Sequence, residues 1–186
     1  MRRGTMPYLV GELVDLAPPG DDLLPYFVTW ENDPALLRLS DSPSQAPRGW
    51  DGARSMFDSL RSGPGLFFGI YTKGGHPIGY LGANIDERDR RACVYIVVGD
   101  AGYQGRGYGT DAMRVLLRHL FDGLGLHRAY LFVHESNQRA IRCYEKCGFV
   151  WEGRLREHLR EGSTYSAEIA MGVLADEFRA VDPGPP

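Results

Sequence analysis

The stretch from Ala92 to His134 constrains the fold more than any other part of the chain. An apolar run, ACVYIVV, leads into a glycine-rich loop, GYQGRGYGT. An amphipathic segment follows, with Met113, Leu116, Leu117, Leu120, Phe121 and Leu124 on one stripe. Gly123–Gly125 break it, and HRAYLFVH reads as the next strand. Strand, loop, helix, strand is a βαβ unit, so its two strands are expected to be parallel. The near-continuous apolar run from Ala92 to Val98 predicts a central position in the sheet. The helix is predicted from about Gly109 to Asp122.

The flanking segments fill out a single domain, predicted over residues 8–178, with residues 1–7 and 179–186 as flexible tails. A short strand is expected around Leu9 to Leu16. Two short helices follow, the first capped by Asp21 or Asp22 and the second opened by Pro34. Trp50, Ala53, Phe57 and Leu60 have helical spacing. FFGIYT and PIGYLGANI, joined by KGG, read as a hairpin, and ERDRR is an exposed turn before Ala92. SNQRAIRCYEKCG reads as a helix capped by Ser136 or Asn137 and closed by Gly148. Two more strands, carrying FVWEGRLREHLREG and TYSAEIAMGVLADEF, end the sheet, and RAVDPGPP is a frayed tail.

The formal net charge of -3 argues against a general nucleic-acid binder. No run approaches the length of a membrane span. The first ten residues carry charge but no apolar core of a secretory signal, so the chain reads as cytoplasmic. Three cysteines do not make a disulfide framework. Cys143 and Cys147 are neighbours on one helix face and read as packed thiols, and no metal site is expected.

Glycine is in excess: 24 of 186 residues, about 13%, where about 7% is ordinary. Four of these glycines sit between Gly102 and Gly109, and a loop like that loses much chain entropy on folding. Before a helix it suits an anion: the helix start offers unpaired N–H groups and the positive end of the dipole. Gly105, Gly107 and Gly109 let backbone come close, Arg106 suits a phosphate, and Gln104 can hydrogen-bond nearby. A plain structural turn is the competing reading. The loop has no lysine for a Walker A motif, and Thr110 stands where the dinucleotide fingerprint needs its third glycine.

Gln104, Gly107 and Gly109 fit the spacing Gln/Arg-x-x-Gly-x-Gly/Ala. Asn137, Ala140, Tyr144, Gly148 and Phe149 fit a second pattern one strand later. Together they resemble the GNAT superfamily of acyl-CoA-dependent N-acetyltransferases. The layout from Tyr8 to Phe178 is similar to the ribosomal-protein N-terminal (RimJ/RimL-like) branch and its spermidine- and drug-acetylating relatives. The resemblance implies a mixed α/β fold of about seven strands, mostly antiparallel, with a central splayed parallel pair and helices on both faces. It implies acetyl-CoA as cofactor, its pantetheine arm in the gap beside Ile96 and Val98. It places the pyrophosphate on Gln104, Gly105, Arg106, Gly107, Tyr108, Gly109 and Thr110, and lines the arm with Asn137. Tyr144 would protonate the leaving thiolate, and the Val98 amide would face the oxyanion. The acceptor would be an amine-bearing small molecule or a protein N-terminus, and relatives of this kind often dimerise.

One departure stands out. The strand glutamate of many relatives falls near Cys93, a poor base. Asp86, Glu87, His134 and Glu135 are the substitutes, although His134 and Glu135 cannot both face one side of a strand. A non-catalytic acyl-CoA sensor is therefore the alternative. The early segment Glu31–Pro34 resembles the acceptor border of the family. Trp30, Glu31 and Asp33 are the candidates there, the two acids suiting a cationic amine. Arg139 and Arg142 are expected to face solvent, with contact to a cofactor phosphate as the competing reading.

Overall fold

The computed structural model describes residues 8–39, 47–182 and 184, with the side chain of Glu161 excepted. An eight-stranded sheet, ordered β1-β2-β3-β4-β5-β6-β8-β7, forms its centre. The strands are β1 (Leu9–Val10), β2 (Val14–Ala17), β3 (Leu66–Thr72), β4 (Pro77–Asp86), β5 (Arg91–Val98), β6 (Arg128–His134), β7 (Val150–Glu161) and β8 (Thr164–Leu174). The helices are α1 (Leu24–Trp30), α2 (Pro34–Leu37), α3 (Gly49–Ser62), α4 (Tyr108–Arg118), α5 (Gln138–Glu145) and α6 (Ala175–Val181). The mixed α/β fold is as expected, with β5 and β6 the one parallel pair among the described strands.

Strand β5 is central, antiparallel to β4 over its whole length. Its pairing with β6 is confined to Arg91–Cys93 against Arg128–Tyr130, so the two strands part company from Val94 onward. Alternation along β5 sends Val94 and Ile96 into one core and Tyr95 and Val97 into the other. The first core lies under α4, α5 and α6 and includes Met113, Leu116, Leu117, Ile141 and Phe178. The second lies under α1 and α3, where Phe27, Phe57, Phe67 and Tyr80 meet ring to ring at centroid distances of 4.8–6.0 Å.

Several boundaries differ from expectation. The first strand is a tight hairpin, β1 and β2, and this adds the eighth strand. Its turn is held by a buried carboxylate: Asp111, in the first turn of α4, accepts from the N–H groups of Glu12 (3.2 Å), Leu13 (2.8 Å) and Val14 (3.0 Å). Neither Asp21 nor Asp22 caps α1; its cap position is Leu23, with Pro25 in the first turn. Trp50 and Leu124 lie off their stripes, 50% and 38% exposed. The fourth helix begins one residue early, at Tyr108, and loosens into a π-turn over His119–Gly123.

The expected frayed tail is also corrected. Ala175–Val181 is helix α6, and Phe178 is buried. The guanidinium of Arg118 makes two 2.8 Å bonds to the buried Asp182, tying residues 179–182 to α4. Residues 1–7 of the predicted tails lie outside the described residues.

Candidate active site

Where β5 and β6 separate, a cavity of about 670 Å³ passes through the sheet. Gln104, Gly105, Gly107, Gly109, Thr110, Asn137 and Tyr144 line one end, beneath α4 and α5. Trp30, Leu37, Met56, Leu60, Tyr80 and Tyr95 line the other. The volume is that of an ordinary small-molecule site.

The backbone of β5 opens into this gap. Gly99 N–H donates to the Ile78 carbonyl at 2.9 Å, so residue 99 bonds toward β4. In an antiparallel ladder alternate residues turn the other way. Ile96 and Val98 therefore turn their amides toward β6, which has already moved off. Asp100 N–H also reaches the Ile78 carbonyl, at 3.1 Å, which marks an irregularity just past Val98. Gly99 is required there by its neighbour. A Cβ on it would lie 2.2 Å from the Trp30 ring.

The glycine loop reaches α4 through left-handed backbone, with φ of 71° at Gly105 and 93° at Gly107. Gly107 is the cap residue and offers no side-chain acceptor. The first intrahelical bond runs from Asp111 N–H to the Gly107 carbonyl, so the amides of residues 108–110 precede it. Those amides and the helix dipole form an anion cradle at the cavity wall.

Among the side chains around the loop, Gln104 hydrogen-bonds nearby as expected, and Arg106 departs from its expected role. Gln104 is a latch: its Nε2 donates to the Val98 carbonyl at 2.7 Å, and its Oε1 accepts from Arg139 at 2.7 Å. Arg106 folds back onto the Gly102 carbonyl at 3.0 Å and does not line the cavity. Tyr108 stands edge-on to Tyr103, centroids 5.0 Å apart, and is also outside the lining. Arg139 and Arg142 are exposed, as expected, and with Lys146 they also border the cavity.

Tyr144 is buried in the cavity wall, edge to face with Phe149. Burial, with a smaller contribution from the nearby Cys143 and Cys147, pushes its hydroxyl well above the usual tyrosine range. It keeps its proton at neutral pH. Asn137 caps α5, accepting from Ala140 N–H at 3.1 Å, and also lines the cavity. Cys147 is a packed thiol as expected, whereas Cys143 is half-buried, lines the cavity and lies 3.4 Å from the Thr110 hydroxyl. The hydrogen bond from Cys147 lowers the Cys143 thiol.

The base candidates fare poorly. Glu135 points away from the cavity, paired with Arg154 (Nη2–Oε2 2.7 Å), which holds its carboxyl below the usual range. Asp86 is bonded to Arg91 at the far end of β5, with its carboxyl also lowered, chiefly by the Asp89 N–H. Neither it nor Glu87 lines the cavity, and neither does Cys93. His134 does line it, but both ring nitrogens are engaged. Nδ1 accepts from Ser136 N–H at 3.2 Å, and Nε2 lies 3.0 Å from the Ser166 hydroxyl.

At the other end, Trp30 and Glu31 line the cavity as expected and Asp33 does not; Asp33 caps α2, accepting from Ala35 N–H at 2.7 Å. Glu31 is only 7% exposed. The Tyr80 hydroxyl donates to its Oε1, and Arg48 Nε lies 3.5 Å from its Oε2. Arg48 and Tyr80 were not legible as site residues, because 17 and 49 positions separate them from Glu31.

A family model described as "Acetyltransferase (GNAT) family" matches residues 26–149. The chain belongs to this family. The spermidine N(1)-acetyltransferase of Escherichia coli K12 is 32% identical over 96 residues, 52% of this chain and 51% of that protein. The chain thus spans about half the length of the curated relatives it matches. A GNAT-family acetyltransferase from Bacillus anthracis superposes with a TM-score of 0.81 at 15% identity, covering 91% of this chain and 99% of that one. Spermidine N-acetyltransferase from Vibrio cholerae, solved with CoA and spermine, gives 0.77 at 22%, covering 89% and 98%. At such identities these structures support the GNAT fold. Among the described residues, no helix is long and apolar enough to cross a membrane.

Proposed function

We propose that this GNAT protein transfers the acetyl group of acetyl-CoA to a primary amine by direct attack within a ternary complex. The observation that carries the reading is the gap between β5 and β6, with backbone amides along its edge, an uncapped helix start at one side and Tyr144 in its wall. The cofactor diphosphate would lie on the amides of residues 108–110, with Arg139, Arg142 and Lys146 supplying counter-charge. The pantetheine arm would pair with the exposed Ile96 and Val98 amides. Family membership and the CoA-bound relative support the same cofactor.

In the reaction the amine lone pair forms a bond to the thioester carbon, and negative charge collects on the carbonyl oxygen. A fixed N–H such as that of Val98 stabilises this charge. The carbon–sulfur bond then breaks, Tyr144 gives its proton to the sulfur, and the proton released by the new amide returns to the phenolate. The RimJ/RimL-like placement rests on whole-chain layout and is part of this proposal, as are a cytoplasmic location and a homodimer.

The test is turnover. Purified protein with acetyl-CoA and a panel of primary amines should release thiol and yield acceptors heavier by one acetyl group. Saturable acetyl-CoA binding with no acetylated product from any amine would instead support a sensor.

A further inference from the structure

Among the described residues that line the acceptor end of the cavity, Glu31 is the single acid, with Arg48 beside it. Its carboxylate is already held by the Tyr80 hydroxyl and opposed by the Arg48 guanidinium. Around that pair the walls are apolar and aromatic: Trp30, Leu36, Leu37, Met56, Leu60 and Tyr95. A polyamine or an aminoglycoside brings several ammonium groups. A buried ammonium is stable only when paired, and here a second one would meet apolar wall or another cation.

We propose that the acceptor is a primary monoamine with an apolar body, and that this pocket discriminates against polyamines. The inference rests on the transferase reading above and narrows its substrate class. The body would pack against Trp30 and the α3 residues Met56 and Leu60, with the nitrogen directed to the gap beside Val98. The same walls do part of the chemistry. Desolvation by these apolar walls disfavours the ammonium form of a bound amine and favours the neutral nucleophile. A free carboxylate base at Cys93 or Glu135 is then unnecessary, in keeping with Glu135 being tied to Arg154.

The experiment compares kcat/KM for phenethylamine, spermidine and kanamycin at saturating acetyl-CoA. The wild type should favour phenethylamine over both polycations by about 30-fold or more, within what a charge set against another cation costs. A second arm uses Leu60→Glu, which adds a carboxylate at a half-buried wall position away from the cofactor loop. It should narrow or invert the preference with acetyl-CoA affinity unchanged, while Leu60→Gln should not. Equal or faster turnover of spermidine or kanamycin by the wild type would overturn the monoamine assignment and leave acetyl transfer standing. No acetylation of any of the three, with acetyl-CoA bound, would sink the transferase reading and this inference with it. Should Leu60→Glu fail to fold, the wild-type ratio alone decides.

Discussion

At one end of the cavity Gly105, Gly107 and Gly109 bare the backbone, and Arg139, Arg142 and Lys146 add positive charge. At the other, Trp30, Leu37, Met56 and Tyr80 close around Glu31, the single carboxylate among the described lining residues. The first end suits a multiply charged anion held by main-chain amides, which needs conformation more than side chains. The second suits an apolar body held by shape and desolvation, which needs side chains from many elements. Strand β5 serves both, turning amides to the gap and alternate side chains to opposite cores. The two ends are thus separable, and a change at one should leave the other's binding constant in place.

The largest effect is expected where the ends meet. Tyr144→Phe should lower kcat by about 10²–10³-fold, the range for a lost general acid, with acetyl-CoA affinity within a factor of about 3. Steady-state rates and calorimetry would check this. Gly107→Ala, at φ 93°, forces a left-handed alanine costing about 1–2 kcal/mol. If the strain is relieved by moving the loop amides, acetyl-CoA should bind about tenfold more weakly, with acceptor KM unmoved. Gly99→Ala reverses the pattern. Its Cβ would strike Trp30, so acceptor KM should rise several-fold, about 1 kcal/mol, while acetyl-CoA affinity holds. If both glycine variants shifted both constants alike, the two-ended description would be wrong.

The smallest effect is in the pH profile. Tyr144 ionises above the usual range because it is buried, so its proton is retained below about pH 10. The acceptor kcat/KM should rise with pH as the free amine deprotonates, with no falling limb below about pH 10. A falling limb near neutrality that vanished in Tyr144→Phe would contradict this. By the same sign, the raised values at Tyr80, Tyr95 and Tyr144 add stability that is complete below the unfolded value and lost as pH rises beyond it.

The cofactor end was legible in the sequence because it is local. Gln104 to Thr110 and Asn137 to Tyr144 are two short runs, and the family resemblance they carry, beyond their spacing, marked them as parts of one site. What local pattern did not carry were side-chain directions: Gln104 latching Val98 to the exposed Arg139, and Arg106 curling onto Gly102. The acceptor end was far less legible. Glu31 was found from one motif and Trp30 as an aromatic near it, but Arg48, Met56, Leu60, Tyr80 and Tyr95 come together only when α1, α3, β4 and β5 pack. The same holds for Asp111, a helix residue in sequence and the buried anchor of the β1–β2 turn in the fold. Glu135 shows the converse. Its place beside His134 marked it as a base, yet strand alternation and Arg154 take it out of the site.

The most direct measurement is amide hydrogen exchange with and without acetyl-CoA. The account predicts slowed exchange at Ile96 and Val98 and across residues 104–110, with the amides around Trp30 and Met56 unchanged until an acceptor amine is added. Exchange at Ile96, Val98 and the glycine loop that is indifferent to acetyl-CoA would contradict it.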